Sequence, residues 1–166
     1  MKKYKDSEFH RIIKPLLDGS NFEETKKITH HGITRYEHSM RVAYFSYKIT
    51  KFFKLDYKET TEAALLHDFF LDEVNDKNQA AKLRQHPKYA LENAKKYFEL
   101  SEKQEDIIKT HMFPVTFTPP KYLESWIVDL VDDVASIYER GTTIKKEVQA
   151  VATFVFALLI NYIKMH

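Results

Sequence analysis

The residues with the clearest capacity for chemistry are a histidine and an aspartate side by side, His67 and Asp68, inside the apolar run AALLHDFFL. An imidazole and a carboxylate in apolar surroundings need hydrogen bonds, an ion pair or a metal ion, because burying them without a partner is costly. Taken alone, such a pair is more often an ordinary hydrogen-bonded pair of a protein core. The other potential metal ligands in the sequence decide between these interpretations.

Four more residues of the same types are each predicted on the inner edge of a helix of their own: His38, His86, His111 and Asp132. With the His67–Asp68 doublet they form a set of imidazole and carboxylate donors typical of transition-metal sites. The chain has no cysteine, which excludes thiolate ligands. The set therefore indicates a metal site built from nitrogen and oxygen donors.

Length and composition favour one domain over residues 1–166. The chain is 43% hydrophobic and 14% aromatic, enough for one core, and no shift in composition divides it. The formal charge of +2, with acidic and basic residues interspersed, argues against a nucleic-acid partner. The start MKKYKD lacks the apolar run of a signal peptide. Together with the lack of cysteine, it predicts a cytoplasmic protein.

Local signals predict an all-α fold, because glycine is scarce, alternating strand patterns are absent and helix-start signals recur. One helix is predicted at about 35–54, where His38, Phe45 and Phe52 share a face. The next continues through the doublet to about Leu71. His86 precedes Pro87, which predicts that His86 is the N-cap of a further helix.

Two later helices carry the remaining candidate ligands. Ser101 and Gln104 form a predicted capping box for the first, with His111 at its inner C-terminal end. The second is predicted at about 121–140. On a helical wheel Asp132 borders its buried stripe, which includes Tyr138, whereas Asp129 and Asp133 point away.

The last predicted helix, at about 143–165, is apolar nearly all round from Val148 to Ile163. This run of about 16 residues is shorter than the roughly 20 that a membrane span needs, so no span is predicted. The pattern favours a core helix or a helix that pairs with a second subunit, which makes a homodimer the oligomer to expect.

The order of the six candidate ligands resembles that of the HD-domain superfamily of metal-dependent phosphohydrolases. The similar segments are TRYEHSMRVAYFSYKI, AALLHDFF, HPKYALENAKKYF and IIKTHMFPVTFTPPKYLESWIVDLVDD, and they extend from about Arg35 to Tyr138. They look like those of small bacterial HD-family hydrolases. The resemblance implies an all-α, HD-type helical bundle.

The resemblance also implies a role for each ligand. The four residues of the family's basic metal site would be His38, His67, Asp68 and Asp132, and the doublet His67 and Asp68 would be catalytic. His86 and His111 match the two additional histidines of dinuclear members, in which the aspartate of the doublet bridges two divalent transition-metal ions (Fe, Mn, Co, Ni or Zn). One departure is Leu71, where many relatives have a lysine.

The function implied is hydrolysis of a phosphoester or phosphoanhydride bond of a nucleotide or other small phosphorylated metabolite by a metal-activated hydroxide. The alternative is a di-iron oxygenase, because HD-fold oxygenases have the same ordered ligands, and fold and ligands alone do not separate the two. A purely regulatory domain is a third alternative, against which the complete ligand set argues.

Three basic residues are candidates to bind the phosphate of a substrate. Arg35 and Arg41 lie three residues on either side of His38, near one face of the predicted helix. Lys88 is a weaker candidate, next to His86 and near a predicted helix N-terminus. The alternative for Arg41 is a solvent-facing salt bridge with Glu37.

Overall fold

A computed structural model describes residues 4–30, 33–71 and 79–140, which include all six candidate ligands. Within these ranges the chain forms six α-helices, one 3-10 helix and two very short strands. In chain order they are α1 (Ser7–Asp18), the 3-10 helix (Phe22–Lys27), β1 (Thr29–His30), β2 (Ile33–Thr34), α2 (Arg35–Phe52), α3 (Tyr57–Leu66), α4 (Gln79–Ala94), α5 (Glu102–Thr110) and α6 (Leu123–Arg140). The predicted all-α class is confirmed.

The two strands, which the sequence did not predict, pair antiparallel in front of α2. Thr29 is opposite Thr34, and His30 is opposite Ile33. With two residues each, the strands are too short for an alternating pattern to be visible. They bring the chain to the position from which α2 starts.

A capping box sets the start of α2. The Thr34 hydroxyl accepts a hydrogen bond from the backbone N–H of Glu37 at 3.2 Å, and the Glu37 carboxylate accepts one from the backbone N–H of Thr34 at 3.2 Å. These bonds satisfy two of the N–H groups that the first helical turn leaves without partners. The cap fixes the phase of α2 and places His38 just after its first turn.

Helix α2 is the centre of the bundle and packs against both α3 and α6. Helix α5 packs against α3 and α6, and α4 packs against α5. The largest buried apolar side chains come from several of these elements: Phe9, Ile13, Phe22, Tyr47, Leu65, Leu66, Phe69, Ile107 and Ile108. The same packing brings the inner faces of α2, α3, α5 and α6 together, and α4 joins them through its contacts with α3 and α5.

The predicted inner face of α2 is only partly right, because Phe45 and Phe52 are exposed. The buried positions include Ser39, Ser46 and Thr50 instead. The Thr50 hydroxyl donates to the Ser46 carbonyl oxygen at 2.7 Å. Since α2 is covered on two sides, small side chains let its neighbours approach closely.

None of the described helices is both long and apolar enough to cross a membrane. The apolar helix predicted at about 143–165 lies outside the described residues, and so does the homodimer contact predicted with it.

Candidate metal centre

The six predicted ligands converge in one cluster, although they come from five different helices or the turns that follow them. His38 lies on α2, the doublet follows α3, His86 lies on α4, His111 follows α5 and Asp132 lies on α6. All are buried except His86, whose side chain is 13% exposed. The cluster is therefore closed on most sides and open towards solvent at His86.

The doublet lies just after α3, whereas the sequence placed it within that helix. The helix ends at Leu66, and the backbone N–H of Phe69 donates to the Leu66 carbonyl oxygen at 3.0 Å. His67 keeps helical backbone angles, with φ −57° and ψ −32°. The helical phase therefore extends to the doublet, which explains why both side chains still point inward.

The predicted N-cap at His86 is wrong, because α4 begins at Gln79 and continues through Pro87. Proline in a helix interior removes one hydrogen bond and usually ends or bends the helix. Here the burial of Ala90 and Ala94 against the core supports the helix beyond the proline. Lys88 is consequently not near a helix N-terminus. Its exposed side chain lies 3.8 Å from Glu92.

Backbone carbonyls orient two of the histidine rings. The Nδ1 atom of His67 lies 2.8 Å from the Ala64 carbonyl oxygen, and that of His111 lies 2.7 Å from the Ile108 carbonyl oxygen. A carbonyl oxygen only accepts, so each Nδ1 must carry the proton and donate. When the ring is neutral, Nε2 then presents a lone pair to the cluster, the usual arrangement of metal-ligating histidines.

The first half of the cluster comprises His38, His67 and Asp132. His38 Nε2 lies 2.8 Å from Asp132 Oδ1 and 3.3 Å from His67 Nε2, and His67 Nε2 lies 3.6 Å from Asp132 Oδ1. Two donors bound at about 2.1 Å and at right angles to one ion are roughly 3.0 Å apart. These separations fit donors that share an ion.

The second half comprises His86 and His111, whose Nε2 atoms are 2.8 Å apart. Asp68 Oδ1 lies 3.5 Å from His86 Nε2 and 3.9 Å from His111 Nε2. Ligand atoms of Asp68 also lie within 4.8 Å of those of His38 and His67. The Asp68 carboxylate is therefore within ligand distance of both halves, which means close enough to be a ligand of an ion in either.

Two buried carboxylate oxygens support the fit to a cation. Asp68 Oδ1 accepts no hydrogen bond from the described residues, and Asp132 Oδ1 lies beside the imidazole nitrogens of His38 and His67. Burying a carboxylate oxygen without a partner costs free energy, which a bound cation would offset. Imidazole nitrogens and carboxylate oxygens suit divalent transition metals. The buried His and Asp groups thus fit divalent metal binding.

Charges in the first half favour protonated imidazoles in the metal-free protein. Burial alone would lower the pKa of His38, but the adjacent carboxylates of Asp132 and Glu139 raise it to about 10. Burial would raise the pKa of Asp132, but the neighbouring His67 and His38 hold it well below its usual value. The carboxylate is therefore ionised and the first half holds protons tightly.

The second half shows the opposite tendency. Burial, together with the neighbouring His67 and His86, lowers the pKa of His111 to about 3. Burial also lowers the pKa of His86, against the attraction of Asp68. Both imidazoles are neutral near pH 7, which is the protonation state that a metal ligand needs.

Glu139 on α6 also contacts the cluster, although the sequence did not predict a role for it. Its carboxylate lies 2.8 Å from His38 Nδ1 and also contacts the guanidinium of Arg41. The available signal was spacing, because Glu139 follows Asp132 by seven residues and so lies on the same helix face. The neighbouring Tyr138, predicted as buried, is exposed.

The prediction that Asp129 points away is wrong, whereas Asp133 is exposed as predicted. Asp129 is buried and accepts a hydrogen bond from the backbone N–H of Phe113 at 3.1 Å. Burial and the nearby Asp133 and Asp132 raise the pKa of Asp129 to about 8. The chain after α5 covers this part of α6, a long-range contact that a helical wheel does not contain.

The two arginines predicted to bind phosphate both have protein partners. Arg35 is buried, donates to the Phe70 carbonyl oxygen at 2.5 Å and has its guanidinium carbon 3.7 Å from the centre of the Phe70 ring. Arg41 pairs with Glu139 and not with Glu37. Substrate contact by Arg35, Arg41 or Lys88 stays a prediction.

The family model for the HD domain matches residues 35–137, more than half of the chain. No curated protein and no solved structure gives a significant match. The matched region contains all six clustered residues, from His38 to Asp132, and ends two residues before Glu139. By this match, and by the buried cluster that it encloses, the chain belongs to the HD-domain superfamily of metal-dependent phosphohydrolases.

Proposed function

We propose that the protein is a phosphohydrolase that uses two divalent ions to cleave a phosphoester or phosphoanhydride bond of a nucleotide or other small phosphorylated metabolite. The observation that carries the proposal is the position of Asp68, within ligand distance of both halves of the cluster. A carboxylate shared by two sites is the arrangement expected when two ions act on one phosphoryl group.

In this proposal His38, His67 and Asp132 hold one ion, and His86 and His111 hold the other. When bound, such ions lower the pKa of a water molecule and neutralise the charge that develops on a phosphoryl oxygen. The protein's part is to hold one ring proton on Nδ1 and to aim each Nε2 at the cluster, as the carbonyls of Ala64 and Ile108 do for His67 and His111. Fe, Mn, Co, Ni and Zn all suit these donors.

The substrate would enter at His86, the most exposed ligand of the cluster. Arg35 and Arg41 have protein partners, and Lys88 lies on the outer surface beside Glu92. We therefore propose that the bound ions supply much of the positive charge that the phosphate meets. Such a site would bind the reacting phosphate group of a substrate more strongly than it binds the rest of that substrate.

The test is phosphate release from a panel of nucleotides and sugar phosphates. The chain is stripped of metal and then loaded separately with Fe, Mn, Co, Ni or Zn. We expect release with at least one metal, none from the stripped chain and none from Asp68→Ala. The control is Asp133→Asn, which changes an exposed carboxylate of α6 outside the cluster and should leave release unchanged. An iron absorption that responds to oxygen, without phosphate release, would favour the di-iron oxygenase.

A further inference from the structure

The His38 ring is held between two carboxylates of α6. Nε2 lies 2.8 Å from Asp132 on the side of the cluster, and Nδ1 lies 2.8 Å from Glu139 on the opposite side. His38 and the Glu139 side chain are each 1% exposed. Water therefore does not compete for this outer hydrogen bond, and its partner is set by packing alone.

Resting on the proposed metal centre, we propose that Glu139 is a positioning residue, held by Arg41, that keeps His38 in the tautomer whose Nε2 can bind a metal ion. A carboxylate only accepts hydrogen bonds, so Nδ1 of His38 must donate to Glu139. This proton is thereby kept on the side of the ring away from the cluster. Once an ion displaces the proton that Nε2 shares with Asp132, Nε2 can give its lone pair to that ion.

Arg41 offsets the free-energy cost of burying the Glu139 carboxylate. Its guanidinium contacts Glu139, and the Arg41 side chain is only 13% exposed. Leaving a buried charge without its counter-charge is strongly destabilising, so Glu139 depends on Arg41. Arg41 therefore acts on His38 through Glu139, which differs from the phosphate contact predicted for it from the sequence.

The carboxylate distinguishes His38 from the other oriented histidines. His67 and His111 donate to neutral backbone carbonyls, which no side-chain substitution removes. His38 donates to a charged acceptor, which makes an imidazole a stronger metal ligand. A substitution of Glu139 can therefore change both the position and the basicity of the His38 ring.

The experiment measures Zn²⁺ affinity by titration of the stripped chain against a competing chelator, beside phosphate release. Glu139→Gln should weaken one class of Zn²⁺ site by about 10- to 100-fold, the usual effect of losing such a partner, and leave the other class unchanged. Glu92→Gln is the matched control, because Glu92 is also a helical glutamate paired with a cation, on the outer surface. It should match the wild type.

Imidazole nitrogen NMR of the Zn²⁺-loaded chain provides the second readout. In the wild type, His38 should have a protonated Nδ1 and a metal-bound Nε2, and Glu139→Gln should shift or broaden both signals. Arg41→Ala should weaken the same class of site, and Arg41→Lys should restore part of the affinity by restoring a positive charge.

Wild-type affinity and an unchanged His38 tautomer in Glu139→Gln would overturn the inference while leaving the metal centre intact. The same holds if Arg41→Ala raises KM for a phosphorylated substrate and retains wild-type Zn²⁺ affinity, which would support phosphate contact. Should Glu139→Gln fail to fold, the affinities of the two Arg41 variants decide the question. A wild-type chain that binds no divalent ion would overturn the proposed function itself.

Discussion

Each half of the cluster contains one histidine, His38 or His86, whose ring is held by a different means. His38, on α2, is enclosed between two carboxylates of α6 and is only 1% exposed. His86, on α4, is partly exposed, and its ring stacks on Phe70 with centroids 5.8 Å apart. His38 is thus fixed by charged groups and His86 by ring packing at the opening, whereas His67 and His111 are both oriented by backbone carbonyls. The difference indicates a closed site beside an open one, with Asp68 between them.

The charges of the two halves differ in the same way. The pKa of His38 is raised to about 10 by its carboxylates, whereas that of His111 is lowered to about 3 by burial and by its neighbouring histidines. An ion entering the first half must therefore displace a proton, and an ion entering the second half need not. Four predictions test this comparison.

The largest effect is expected where the halves meet. Asp68→Ala and His67→Ala should lower the metal content from about two ions per chain towards none, because a shared ligand or its neighbour is lost. Elemental analysis of chains loaded with Fe, Mn or Zn is the measurement. Asp133→Asn is the control, and wild-type content in Asp68→Ala would show that Asp68 is not shared.

Removing one histidine of the open half should have about half that effect. His86→Ala or His111→Ala should bring the metal content from about two ions towards one, since the closed half keeps its ligands. Activity should fall in both variants. The dinuclear interpretation would be wrong if the wild type held about one ion per chain under every loading condition and these variants held the same. The site would then be mononuclear, without two separate halves.

The pH dependence of metal binding should separate the halves. In His86→Ala, where the closed half remains, affinity should rise by up to tenfold per pH unit between pH 6 and 9, because the ion displaces the proton that His38 holds up to a pKa of about 10. In His38→Ala, affinity of the open half should be nearly constant above pH 7, because the pKa values of His86 and His111 are lowered. Equal slopes in calorimetric titrations would contradict the difference.

The smallest effect is expected on thermal stability. Ions that bind only the folded chain add about 2.7 kcal/mol when their free concentration is 100 times Kd, which is roughly 5–10 °C in Tm for a chain of this size. Chelation should remove this gain in the wild type and part of it in His86→Ala. Calorimetry with confirmed metal removal is the measurement, and an unchanged Tm would show that the ligands are held in place without an ion.

Features that depend on residues close together in the sequence were predicted correctly, whereas features that depend on distant residues were not. The capping box of Ser101 and Gln104 appears as predicted, because it joins residues three apart. The helix through Pro87 and the burial of Asp129 did not follow from local rules. Both features depend on which other segments pack against α4 and α6, and the sequence of a single helix does not contain this information.

The sequence by itself determined the all-α class and the order of six metal-type side chains, from His38 to Asp132, because helix phase and caps arise within one or two turns. Tertiary structure alone decided which of these atoms meet. The contact between His38 and Glu139 joins residues 101 positions apart. Such a partner is chosen by the packing of α6 on α2, since helical periodicity fixes which way a side chain points and not what lies opposite it.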